Sequence, residues 1–356
     1  DMDYAASVGC HAMGSHGGGC QFLGTAATSQ VVAEAFGIAL PHSALSPSGE
    51  PIWFDMAHRS ALALLRLTAE RTPFGDILTP QAIENAMLVH AAFGGSTNLL
   101  LHIPAIAFAA GLARPTVGDW IRVNRLTPRL VDVLPNGPRN HPTVQVFMAG
   151  GVPEVMLHLR KMGLLNLDVN TVTGEKLSTV LDWWEGSPRR QAVKQHLRES
   201  VQIDPDQVIM DPDTAKKSGL HGTLVFPVGN IAPQGSVIKA TAIDPTVVGD
   251  DQVYQQRGPA RVFASERSAI AAVKGQVERP VVPGDIIVLI GGGPSGTGME
   301  EVYQLTAALK HLPWGKHVAL LTDARFSGVS TGACIGLIGP EALAGGPIGR
   351  IQEGDT

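Results

Sequence analysis

The stretch Leu321-Thr-Asp-Ala-Arg-Phe-Ser-Gly-Val-Ser330 follows an apolar run, His317 to Leu321, that reads as a buried strand. An acid, an arginine, a serine and a glycine then crowd into six residues, Asp323 to Gly328. A strand that ends in such a loop is a common way to push a reactive side chain out of a rigid scaffold. The plainer reading is an Asx-type turn with an arginine ion pair. Ser327 has no nucleophile-elbow wording around it. Working outward, short strand patterns recur at Gly222–Val228, Ser236–Thr241, Ala260–Ala264 and Asp285–Ile290, separated by Gly- and Pro-rich turns. Helical patterns interrupt near 265–274 and 299–311. The spacing predicts a compact β domain, a barrel with a few helices, over residues 201–356.

Residues 1–200 read differently. After a Gly-rich loop (1–25), helices are expected at Ala26–Gly37, Asp55–Thr68 and Thr79–Phe93, with a further short one bracketed by Pro153 and Gly163. The span Asn85–Ala113 carries no Asp, Glu, Lys or Arg. Gly94-Gly-Ser-Thr-Asn98 and Pro104 interrupt it, so it predicts two buried helices rather than a membrane span. After Gly95, Ser96 or Thr97 can N-cap the second. The segment 184–207 predicts a surface connection. The fold class is therefore α/β, with a helix-rich half followed by a β half.

Composition narrows the function classes. The chain has 356 residues, 44% hydrophobic and 17% charged, with a net charge of −5, which fits a globular protein and gives no basic patch for nucleic acid. Three cysteines, Cys10, Cys20 and Cys334, are too few and too scattered for a disulfide framework, so a cytoplasmic, reducing setting is expected. Cys334 sits in an apolar stretch and reads as core.

Several segments carry possible chemistry. Cys10 and Cys20 stand in a Gly-rich loop that suits either ordinary thiols or an iron–sulfur cluster. Gly291-Gly-Gly-Pro-Ser-Gly296 matches the dinucleotide fingerprint, yet no alternating βαβ series is expected around it, so it also reads as a strand-to-helix turn. Glu300-Glu301 just after it is expected at a helix start, where acids are favoured anyway; it would also suit a hard cation such as Mg²⁺. The loop Gly229-Asn230-Ile-Ala-Pro233, leading to Lys239, is either hairpin-like or a substrate-side loop with polar groups and one cation.

Together these pieces resemble the family of dihydroxy-acid, phosphogluconate and aldonate dehydratases. The resemblance rests on Gly18-Gly-Cys20 through Gln30, Glu34 through Pro41-His-Ser43, Asn85 through Asn98 with His102, and Ala149-Gly-Gly-Val-Pro153. It continues through Gly229-Asn230-Ile-Ala-Pro233, Gly258-Pro-Ala260, Gly298-Met-Glu-Glu301-Val and Asp323–Gly328, in family order across nearly the whole chain. The segment Pro41 to Trp53 looks most like the xylonate-dehydratase-like branch.

The resemblance implies a hydro-lyase that dehydrates a sugar acid to a 2-keto-3-deoxy acid. It implies an iron–sulfur cluster, usually [2Fe–2S], with Cys20 as a ligand, Mg²⁺ with Glu301 as a ligand, and Ser327 as the base. Substrate contacts are expected from Arg325, Asn230 and Lys239, with Arg325 paired either to substrate or to Asp323. A swivelling-type β-barrel in the second half, a homodimer or homotetramer, and neither nucleic acid nor membrane as partner are also implied. Two departures stand out. The family's upstream Cys-Asp-Lys block is absent, for which truncation is the simplest reason, and an incomplete pocket and an inactive chain are then expected. Pro104 sits where a helix is expected, at a cost of roughly 3 kcal/mol if interior. The alternatives are a dihydroxy-acid dehydratase of branched-chain amino-acid synthesis, a nicotinamide-dependent oxidoreductase built on Gly291–Gly296, and an inert fragment.

Overall fold

A computed structural model describes residues 20–356, in two units: the residues up to His221, and Gly222–Thr356. The first is helical: α1 (Thr25–Ala35), α2 (Ile52–Ala69), α3 (Pro80–Phe93), α4 (Leu99–Ala109), α5 (Val117–Leu126), α6 (Thr143–Met148), α7 (Gly151–Lys161), α8 (Leu177–Glu185), α9 (Pro188–Ser200), α10 (Pro205–Val208) and α11 (Pro212–Lys217). The uncharged span does form two helices, α3 and α4, and Pro104 lies inside α4. Thr79 starts α3 by accepting the Ala82 N–H at 3.2 Å, and Gly94 ends it at φ 68°. Buried Leu88, Val89 and Phe93 make α3 a core helix, each contributing about 1.5–3 kcal/mol. Helix α4 starts after Asn98, whose own side chain makes no cap bond, while the Ser96 hydroxyl accepts the Asn98 N–H (3.3 Å) in the turn just before it. The connection expected over 184–207 is instead mostly α9, started by Pro188 at its first turn and by the Ser187 hydroxyl. No helix among the described residues is long and apolar enough to cross a membrane.

The second unit contains β1 (Leu224–Val225), β2 (Gly235–Lys239), β3 (Ala260–Phe263), α12 (Glu266–Val273), β4 (Ile286–Leu289), α13 (Pro294–Thr297), β5 (Glu301–Val302), α14 (Gln304–Lys310), β6 (Ala319–Thr322), β7 (Arg325–Phe326) and β8 (Cys334–Gly339). Six strands form one sheet in the order β1-β2-β8-β6-β4-β3. Strands β3, β4, β6 and β8 run parallel, while β1 and β2 add on antiparallel. Strands β5 and β7 form a separate two-stranded parallel ribbon. Alternation along β4 buries Ile287 and Leu289 with α12, α14 and the ribbon, and Val288 with Leu321 and Ile338 on the other face.

Two expectations are corrected here. The sheet is open: β1 and β3 are its edges, and no pairing among the described residues closes it into the expected barrel. The physical reason is the pair of helical crossovers, α12 and α13–α14, which link parallel neighbours where a barrel meander would use hairpins. Those same crossovers supply a βαβ series around Gly291–Gly296 that the sequence reading missed. Strand order nevertheless advances in one direction from β3 through β4 and β6 to β8, so the glycine loop after β4 is not at a switch point.

Candidate active site

Strand β6 delivers Thr322 and then Asp323, whose carboxylate is 1% exposed. It accepts the N–H groups of Gly291 (3.1 Å), Gly292 (3.0 Å) and Ala342 (2.9 Å). Asp323 thus clamps the loops after β4 and β8 to the end of β6. Glu341 occupies the next part of the glycine loop, accepting the N–H and hydroxyl of Ser295 at 3.0 and 2.7 Å. These donors, which a dinucleotide pyrophosphate would need, are spent on the protein's own carboxylates.

Beyond Asp323 the chain turns back as β7. Its pairing is Arg325 with Glu301 and Phe326 with Val302, and the Ser327 N–H continues the ladder to the Val302 carbonyl at 3.3 Å. Phe326 and Val302 point into the core at 1% and 2% exposure. By two-residue alternation Glu301, Arg325 and Ser327 share the opposite face, with Ser327 and Glu301 about 8 Å apart between Cα atoms from ordinary strand spacings. Gly336 makes the packing possible, since a Cβ there would lie 2.4 Å from Phe326 Cδ1. Glu301 is therefore a strand residue, not the helix start expected for it; α14 begins only at Gln304. Adjacent Glu300 is exposed and lines a different cleft with Glu266 and Arg267.

Arg325 donates from Nε to the Met299 carbonyl (2.8 Å) and lies 3.6 Å from Glu301 Oε2, both side chains 29% exposed. Asp323 is bound instead to backbone, so of the two partners weighed for Arg325 it is not the one. A half-exposed pair of this kind contributes about 0–1 kcal/mol. Glu301 fits as one oxygen ligand of a hard cation. Among the described residues no cluster of three His, Cys, Asp or Glu side chains is placed to hold a metal ion, so Glu301 supplies only part of such a shell.

Lys239, the last residue of β2, is 1% exposed, and its ammonium donates to the Gly328 carbonyl, next to Ser327. The loop is further fixed by the Ser330 N–H on the Ser327 carbonyl (2.9 Å) and by contact of the Ser330 and Thr306 hydroxyls (2.9 Å). Asn230 is not part of this group. It is exposed near the opposite end of β2, about 13 Å along the strand, in a cleft of about 400 Å³ with Gly258 and Arg350. A cleft of about 480 Å³ lined by Thr306, Gly332 and Cys334 contains none of Glu301, Arg325 or Ser327.

In the first unit Cys20 is exposed, and its thiol donates to the Phe22 carbonyl at 3.5 Å. Thr143 holds its backbone, donating from Oγ1 to the Cys20 carbonyl (2.8 Å) and from N–H to the Gln21 carbonyl (3.1 Å). The Gly94–Asn98 block meets the start of α1: Asn98 Nδ2 donates to Thr25 Oγ1 (2.6 Å), and the Ser96 N–H to Thr28 Oγ1 (3.1 Å). Two separate sequence blocks thus fix the helix that follows Cys20. An exposed thiol in a held loop suits a cluster ligand. Cys334 is buried in β8, where burial pushes its thiol pKa far up. Cys10 lies outside the described residues.

The block from Glu34 to Ser43 has a structural account. Buried Glu34 accepts the N–H groups of His42 (2.6 Å), Ser43 (3.2 Å) and Ala44 (2.9 Å), and burial raises its pKa to about 7 against those bonds. His42, at φ 60°, stacks on Phe147 at 4.1 Å between ring centroids, and burial lowers its pKa to about 3.

Comparison with known proteins gives the family. Residues 2–180 match the dihydroxy-acid/6-phosphogluconate dehydratase N-terminal model, and residues 207–356 match the C-terminal one. The chain is 63% identical over 354 residues to D-xylonate dehydratase YagF of Escherichia coli K12, covering 99% of this chain and 54% of that protein. It is 64% identical over 351 residues to D-xylonate dehydratase YjhG of the same organism, covering 99% and 53%. It is 38% identical over 357 residues to a dihydroxy-acid dehydratase of Dinoroseobacter shibae, covering 100% and 56%. The chain spans about half the length of each of these relatives. With both domain models matched in order, the chain belongs to the dihydroxy-acid/6-phosphogluconate dehydratase family.

Proposed function

We propose that the protein is a hydro-lyase that dehydrates an aldonate of the xylonate class to its 2-keto-3-deoxy acid. The observation that carries this reading is the identity of 63% and 64% to two D-xylonate dehydratases, against 38% to dihydroxy-acid dehydratases. That gap favours a sugar acid over the branched-chain substrate. The occupied donors of Gly291–Gly296 count against the nicotinamide reading.

The reaction removes the C2 proton and expels the C3 hydroxyl as water, and the resulting enol tautomerises to the ketone. Ser327 takes the C2 proton on Oγ; its backbone is held on both sides, by Val302 and by Ser330, so the hydroxyl is presented from a fixed peptide. Arg325 stands beside Glu301 on the same face, where a substrate carboxylate would pair with its guanidinium. Glu301 would hold Mg²⁺ and Cys20 an iron–sulfur cluster, of the [2Fe–2S] type, which when bound supply Lewis-acid stabilisation of charge at the carboxylate side and at the departing hydroxyl. Lys239 and Asn230 do not act alike: Lys239 adjoins the Ser327 loop and Asn230 lies apart. The assembly is a homodimer or homotetramer in the cytoplasm.

The test is Ser327→Ala in the intact gene product with D-xylonate. Substrate binding should persist, while turnover and solvent exchange of the C2 proton fall by about 100-fold or more, the usual scale for a general base. Near-normal turnover would remove Ser327 from the chemistry.

A further inference from the structure

Lys239 is buried with the rest of β2, whose five residues are all enclosed. Its backbone is fixed from both sides, paired through Leu224 on β1 and, one residue earlier, through Ile335 on β8. An ammonium in such a place costs several kcal/mol unless it donates hydrogen bonds. One acceptor is the carbonyl of Gly328, the residue after Ser327. The Ser330 N–H already holds the Ser327 carbonyl (2.9 Å); Gly328 has no side chain with which to pack, so the next peptide of the loop, which carries the Gly328 carbonyl, takes its hold from outside the loop. The peptide before Ser327 has its hold in the Val302 carbonyl.

We infer that Lys239 is a positioning residue: by holding the Gly328 carbonyl from the rigid end of β2, it sets where the Ser327 hydroxyl stands relative to the ribbon that carries Glu301. This rests on the reading of Ser327 as the base. The 1% exposure of Lys239 fits action through the loop rather than on a solute directly.

The experiment uses Lys239→Met in the intact gene product, which keeps an unbranched stem and removes the donor. KM for D-xylonate should change by less than about threefold while kcat falls about 100-fold, the scale of a 1 Å misplacement. Lys239→Ala should recover part of its kcat with added propylammonium, which replaces the missing atoms and N–H donors. Tetramethylammonium, charged but without N–H, should restore nothing. If Ser327→Ala turns over normally, the base assignment falls and this inference with it. If Ser327→Ala is inactive while Lys239→Met keeps its kcat, or raises KM alone, only this inference falls. Should Lys239→Met fail to fold, the Lys239→Ala result decides, and lack of recovery with propylammonium overturns the role.

Discussion

Replacing Asp323 by Asn should loosen the end of β6 without emptying the space. The carboxylate takes Gly292 on Oδ1 and both Gly291 and Ala342 on Oδ2. An asparagine keeps one oxygen and turns the other position into a donor. The better orientation keeps the oxygen toward Gly291 and Ala342, so the buried Gly292 N–H loses its acceptor and faces an NH₂ group. A backbone N–H bonded to a charged group contributes about 1.5–3 kcal/mol, and the two surviving bonds weaken as the charge goes. The expected loss is about 2–3 kcal/mol for Asp323→Asn and more for Asp323→Ala, which strips all three. Hydrogen exchange read by mass spectrometry is the direct assay. Peptides covering residues 286–298 and 338–346 should exchange roughly 30-fold faster in Asp323→Asn, the factor that about 2 kcal/mol implies. Peptides from α3, in the first unit, should be unaffected. Unchanged protection at Gly291, Gly292 and Ala342 would refute the clamp.

Two further outcomes are expected. Glu301→Gln should raise the Mg²⁺ concentration needed for activity by about 10-fold or more, and Glu300→Gln should leave it nearly unchanged, because Glu300 lines the other cleft; greater sensitivity at Glu300 would reverse the assignment. The first unit should be most stable between about pH 4.5 and 6.5: Glu34, raised from 4.5 to about 7, contributes fully below 4.5 and loses that contribution as pH rises through 7, while His42, lowered from 6.5 to about 3, contributes fully above 6.5 and loses it as pH falls toward 3. Each arm amounts to a few kcal/mol at about 1.4 kcal/mol per unit; because the two slopes cancel between pH 4.5 and 6.5, the Glu34 arm is read as the difference in melting temperature between the unaltered protein and Glu34→Gln, and a difference that stays flat from pH 4.5 to 8 would contradict it.

The sequence was most legible where pattern is local. Helices α1, α2, α3 and α7 and strands β2, β3, β4 and β6 fall close to where periodicity and turn residues put them. What it hid depends on distant partners. Strand β8 carries Gly336 and Gly339, which weaken a strand pattern, yet Gly336 is the residue that admits Phe326. Strands β5 and β7 are two residues each, too short for any alternation to register, and exist because each pairs with the other. Asp323 beside Arg325 looks like an ion pair along the chain, but its partners are N–H groups 19 to 32 residues away. Lys239 and Ser327 are 88 positions apart by numbering, and only the folded sheet brings the lysine to the serine loop.

The β5–β7 ribbon has a consequence for redesign. Its odd-numbered members, Glu301, Arg325 and Ser327, share one side, and Val302 and Phe326 hold the other. A saturation library over 301–302 and 325–327 should therefore score in stripes. Alternate positions would trade between expression level and product formation, with few variants losing both. Substrate range would then be open to selection at Arg325 while Val302 and Phe326 stay fixed as the keel.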